Sequence, residues 1–289
     1  MLNTGPVQLR LVRDFEQTIG DAFSFLKQNG KLLVKAIVYF SAVPMVIYGL
    51  LNATQLVGMG RPSTAGDPFA AVFAIYGKLA VVFIPYVVAR VLVNAAVLEY
   101  VRAYLLNEHY GLTLGELWKR VAKNFWTYLG IWIVSYLLFG IGFVLCFLPG
   151  IYLMTAAVLA GIVHAVERSG FGDGFNKSFS LVNRSFWPML GLVVVLGLIQ
   201  WVLTLLLSLP TMLFTGVEQM FAPGFDGSID LPTWKLVATG ILSTVVGILE
   251  QVIHAVAVIA LALRYFSLVE QREGVGLNEK LAGLDPGPN

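Results

Sequence analysis

The chain has 289 residues, of which 57% are hydrophobic and only 12% charged, with a formal net charge of +2. Soluble globular domains carry roughly a quarter charged residues, so this composition excludes an ordinary soluble core and makes the membrane the default solvent. A single cysteine, Cys146, excludes an intrachain disulfide and a cysteine-based metal site.

In chain order, residues 1–31 are polar and charged and show no cleaved-signal pattern. Val7–Leu11 alternates apolar and polar residues, which leaves a short strand open. The stripe Phe15, Ile19, Phe23 and Leu26 predicts an amphipathic helix over 14–30. A transmembrane helix needs about 20 apolar residues, and six stretches qualify. They are 32–51 (carrying Pro44), 69–106, 126–147, 151–166, 187–209 and 235–266. Leu148-Pro149-Gly150 reads as a tight turn closing the third and fourth spans into a hairpin. The polar stretches Asn52–Asp67 and Gly216–Pro232 read as external loops, and 283–289 as a frayed tail on a single membrane domain, 1–282.

Two stretches sixty-one positions apart repeat a pattern: Asn124-Phe-Trp-Thr-Tyr-Leu-Gly130 and Ser185-Phe-Trp-Pro-Met-Leu-Gly191. Upstream, apolar anchors fall at Leu114, Trp118, Val121 and Phe125 in one copy, and at Phe175, Phe179, Val182 and Phe186 in the other. That 4-3-4 spacing is one helical face. A fainter copy, Ile19, Phe23 and Leu26, also leads into an apolar run. The expected fold is therefore an all-α integral membrane protein of three hairpins, each preceded by a cytoplasmic amphipathic helix. Trp118, Phe125, Trp126, Phe179, Phe186 and Trp187 would be its interfacial anchors.

Lysine and arginine concentrate on one side of this topology. Arg10, Arg13, Lys27, Lys31, Lys35, Arg102, Lys119, Arg120, Lys123, Arg168, Lys177, Arg184, Arg264, Arg272 and Lys280 share a face, against Arg61 and Lys235 on the other. The bias places both termini in the cytoplasm and the chain in an inner membrane.

Residues 148–167, Phe175-Asn-Lys-Ser-Phe-Ser-Leu-Val182, Phe186-Trp187 and the ending Tyr265–Gly274 resemble a bacterial membrane-domain family. That family occurs fused to glycerophosphodiester phosphodiesterases and as stand-alone six-span proteins. Its pattern is filled here by Glu167, Ser178, Leu181 and Glu273-Gly274, while Val269 and Gln271 depart from its more basic ending. The resemblance covers roughly residues 100–275 and implies a bacterial fold class with no activity to carry over. A barrel of about 250 residues has no room beside six spans.

The ionisable groups at membrane depth are the clearest chemical signal. Arg90 lies near the centre of the second span and Glu250 near the middle of the sixth, with Asn94 and His254 one turn on. A charge there costs at least a few kcal/mol, so Arg90 and Glu250 are expected to pair, as an internal clamp or as the lining of a polar pathway. Three histidines cannot easily build a metal centre, Gly170–Gly174 lacks a phosphate-loop lysine, and no catalytic triad or carboxylate pair emerges. No catalytic residue, metal, cofactor or nucleic-acid partner is expected. The sequence favours a non-enzymatic module that organises membrane lipids or a membrane-protein partner. Its rival is a transporter or channel for a small or lipid-like solute, through the polar cluster.

Overall fold

The computed structural model describes residues 6–58, 68–145, 147–215 and 232–274. Every regular element among them is an α-helix: α1 (Phe15–Gly58), α2 (Pro68–Leu105), α3 (Leu114–Leu145), α4 (Phe147–Ala157), α5 (Ala160–Glu167), α6 (Phe171–Asn183), α7 (Phe186–Thr215) and α8 (Thr233–Glu273). Six stretches are long and apolar enough to cross a membrane: α1, α2, α3, α4 with α5, α7 and α8. Large apolar side chains stand exposed along them, such as Val43, Val144 and Leu213, as a lipid solvent permits and water does not. The loop residues 59–67 and 216–231, Cys146 and the 283–289 tail lie outside the described residues.

The helix ends follow local chemistry. Asp14 caps α1, its Oδ1 accepting the Gln17 N–H at 2.8 Å while Gln17 Oε1 accepts the Asp14 N–H at 3.4 Å. Thr113 and Glu116 form the same reciprocal box on α3, at 3.3 and 2.9 Å. Between α2 and α3 the chain turns through positive φ at Asn107 and Gly111, residue types suited to that region.

Several expectations shift here. The surface segment 14–30 and the first span are one uninterrupted helix, and so are 114–125 and the third span. Helix α1 also continues through Asn52–Gly58, where a loop was expected. By contrast, the copy before α7 is broken at Arg184-Ser185. Pro188 explains the difference: it has no N–H to donate back to Arg184, whereas Thr127 at the matching place does. Leu148-Pro149-Gly150, read as the third-to-fourth turn, lies instead in the first turn of α4, where a proline costs no hydrogen bond. Val7–Leu11 forms no strand, although Val7 and Leu9 are buried and Gln8 is exposed, as the alternation implied.

The chain divides into two compact units. The first comprises residues 1–35, 94–199 and 254–289, and the second 36–93 and 200–253. In the first, α3 packs on α4, and α6 packs on α4 and α5. Ile131, Ala157, Ala160 and Phe175 form a core there with Val134, Leu138 and Phe179 around it. The α3–α4 approach is backbone to backbone: a Cβ on Gly142 would stand 2.6 Å from Gly150 Cα. Phe25 is fully buried and packs edge-on to Tyr104 at 4.9 Å. In the second unit, Gly49 meets Gly240 and Thr244 so closely that a Cβ would overlap both. Small residues at such crossings let helices touch where lipid supplies no hydrophobic drive.

Candidate functional site

In the second unit the two charges expected at membrane depth are bridged rather than paired. Arg90 and Glu250 form no ion pair within 4 Å among the described residues; Tyr86 mediates between them. The Tyr86 hydroxyl donates to Glu250 Oε2 at 3.4 Å, and the Arg90 guanidinium carbon stands 5.3 Å from the same ring's centroid. Tyr86 sits one helical turn before Arg90, so both reach the same neighbours. With its amide oxygen turned to the guanidinium, Gln200 accepts from Arg90 Nη2 at 2.6 Å and Nη1 at 3.1 Å. Tyr48 packs on Tyr86 at 5.6 Å. Next to Glu250, Gln251 is fully buried and neither of its amide atoms has a hydrogen-bond partner among the described residues. Asn94 and His254 belong to the first unit, so the expected four-residue cluster divides between the two.

The first unit contains a charge centre that sequence reasoning missed. Glu99, on α2, is completely buried. Arg168 grips it with two bonds, Nη1 to Oε1 at 2.9 Å and Nη2 to Oε2 at 2.7 Å. Asn124 and Tyr128, one turn apart on α3, donate to Oε1 at 2.9 and 3.1 Å. A buried carboxylate is tolerated only when its lone pairs are filled this way. Arg168 reaches it from a left-handed backbone, φ +52°, at the end of α5. A non-glycine residue pays about 1–2 kcal/mol for that conformation, and the carboxylate it captures offsets the cost. Burial works against the Arg168 charge, but the hydrogen bonds and charge of Glu99 outweigh it and raise its pKa. Arg102 adds bonds to the carbonyls of Ala165 and Val166 at 3.0 and 2.9 Å, closing the end of α5.

The residues behind the family resemblance converge in the same unit. Glu167 receives the Tyr265 hydroxyl and pairs with Lys177 at 2.7 Å, and Lys177 also faces Glu273 at 3.6 Å. Burial opposes the Lys177 charge, yet Glu167 and Glu273 together hold its pKa above the ordinary lysine value. Ser178 and Leu181 lie on the buried face of α6, and Arg272 bonds to the Ser180 carbonyl beside them. This motif ties α5, α6 and α8 together.

The expected anchors occupy a split position. Trp126 and Trp187 are 76% and 77% exposed, while Phe125 and Phe186 before them are half-buried. Each Phe–Trp step has the same geometry, ring centroids 5.4 and 5.3 Å apart and roughly edge-on. Phe179 is half-buried against Tyr152, and Trp118 is exposed because α3 turns Leu117 and Val121 inward instead. On α1 the buried face runs through Thr18, Ala22 and Phe25, not Phe23, which is exposed.

No cluster of three or more histidine, cysteine or carboxylate groups suited to a metal occurs among the described residues. Compared with known proteins, the chain matches no family model, no curated protein and no solved structure.

Proposed function

We propose that this chain is a non-enzymatic membrane module whose basic, aromatic end engages the lipid surface of a bacterial inner membrane. The observation that carries the reading is the paired Phe–Trp step: each phenylalanine is seated in the protein while its tryptophan projects outward. Internal packing gives no reason for two tryptophans to stand more than three-quarters exposed. Interfacial tryptophans, with an amphipathic ring at headgroup depth, do. From Trp126 to Val144 the 19 residues of α3 span about 28 Å, the thickness of a hydrocarbon core. Lys119, Lys123 and Arg184 lie within two turns of these tryptophans, on the side expected to face anionic headgroups. This reading keeps three hairpins, amphipathic helices at the cytoplasmic end and both termini inside.

The charges of the first unit support a scaffold role, since Glu99 is held by Arg168, Asn124 and Tyr128, and Glu167 by Lys177 and Tyr265. Native mass spectrometry of the purified chain tests the proposal. Retained phospholipid or a stoichiometric protein partner is the expected result; a bare monomer that moves solute into liposomes overturns it.

Transport by the second unit is the competing reading. It is favoured by Gln251, a fully buried amide with no hydrogen-bond partner among the described residues, a polar group that the packing of the second unit does not account for. Loss of liposome flux in Gln251→Leu, from a chain that shows flux, would establish it.

A further inference from the structure

We propose that a cavity of about 320 Å³ in the first unit, where α1 and α7 begin, holds the headgroup of an amine-bearing phospholipid, with its phosphate on Arg264 and its ammonium toward Asp14. The proposal rests on the lipid-contact reading above and names the lipid chemistry involved.

Arg264 is the unusual element. It is only 9% exposed and lines the cavity, yet among the described residues its guanidinium, with five N–H donors, makes one hydrogen bond, from Nη1 to the Arg13 carbonyl at 3.3 Å. Its Nε is buried without a partner, and no carboxylate lies within 4 Å among the described residues. Asp21 is already taken by Arg13, whose Nε it accepts at 2.8 Å. A buried arginine this poorly satisfied costs several kcal/mol unless an anion completes it, and a phosphate oxygen pair matches the guanidinium fork.

The remaining lining narrows the class. The Thr18 hydroxyl donates to the Asp14 carbonyl at 2.7 Å and so has no donor left for a phosphate. Phe15, Pro188 and Leu192 are apolar, which suits the glycerol end of a lipid better than a free ion. Leu11, Val12 and Phe15, next to Asp14 in the chain, are 41%, 50% and 43% exposed and give acyl chains an apolar approach. Asp14 is the second polar determinant. One of its oxygens caps α1, and the carboxylate opposes a headgroup of purely negative charge. A phosphoethanolamine headgroup satisfies both ends at once; phosphocholine presents no N–H to Asp14, and phosphoglycerol no cation. The volume sits at the small end of ligand sites, roughly 300–1,000 Å³, as a headgroup requires.

The experiment is thermal unfolding of the purified full chain in detergent, titrated separately with phosphatidylethanolamine, phosphatidylcholine, phosphatidylglycerol and soluble O-phosphoethanolamine. Phosphatidylethanolamine should bind about tenfold more tightly than the other two lipids, the worth of one charge-assisted hydrogen bond. Asp14→Asn preserves the helix cap, since asparagine caps as well as aspartate, and should erase that preference while retaining lipid binding. Arg264→Gln should weaken all three lipids; if it fails to fold, the Asp14→Asn comparison still decides. Equal binding of the three lipids by the natural chain, or an unchanged preference in Asp14→Asn, overturns the inference. Equal stabilisation by O-phosphoethanolamine alone overturns the lipid as its source. Loss of headgroup preference with tryptophan–lipid contact intact sinks this inference only, whereas loss of both sinks the proposed function too.

Discussion

Among the described residues the first unit surrounds Glu99 with four hydrogen bonds from three side chains, whereas the second meets Glu250 with a single 3.4 Å contact from Tyr86. Both carboxylates sit on long apolar helices, but Glu99 is completely buried and Glu250 only partly. A saturated carboxylate is a fixed strut, because any displacement strands a buried charge. A sparsely held one retains freedom to exchange partners. The contrast assigns rigidity to the first unit and chemical availability to the second.

Deleting the arginine in each unit is the strongest way to break this contrast. Arg168→Ala strands Glu99 and should cost about 3–5 kcal/mol, read as a large fall in the unfolding temperature of the purified protein. Adding Glu99→Gln should recover most of that loss, since the uncompensated charge disappears. Arg90→Ala should cost less, about 1–2 kcal/mol, because Arg90 is not in direct contact with Glu250, which keeps Tyr86. Equal losses would erase the distinction.

Packing provides a control that should not differ between the units. Gly142→Ala in the first and Gly49→Ala in the second each force a methyl against backbone, and each should destabilise by about 1–3 kcal/mol. A finer probe applies one substitution twice. Tyr128→Phe removes a hydrogen bond to a buried charge and should cost about 1.5 kcal/mol, against about 0.5 kcal/mol or less for Tyr86→Phe. The smallest expected effect is the coupling between Arg90 and Glu250. With Tyr86 intervening, a double-mutant cycle should return about 0.2 kcal/mol, and a charge swap should not rescue either single reversal.

Much of this was legible in the sequence, for reasons that also mark its limits. Six spans follow from apolar run length alone. Arg90 and Glu250 stood out because charges are rare at mid-depth. Glu99 did not, since its main partner, Arg168, sits just past Glu167 in what read as a loop, held by a left-handed turn that spacing cannot show. A usable signal existed in Asn124 and Tyr128, two polar groups one turn apart facing a carboxylate from the second span. The inward face of α1 was also hidden. Phe23 and Phe25 are equally apolar, and in a membrane the outside is as apolar as the inside, so hydrophobic periodicity no longer identifies the core. Thr18 and Ala22, small residues beside Phe25, were the better guide.

The proposed role depends on where Trp126 and Trp187 reside. A chain retaining only those two of its six tryptophans, with Trp118, Trp132, Trp201 and Trp234 changed to phenylalanine, can be placed in nanodiscs of lipids brominated at successive depths. A membrane-surface module predicts strong quenching by bromines just below the headgroups and little by aqueous iodide. Quenching by iodide alone, with none from any brominated lipid, would contradict it.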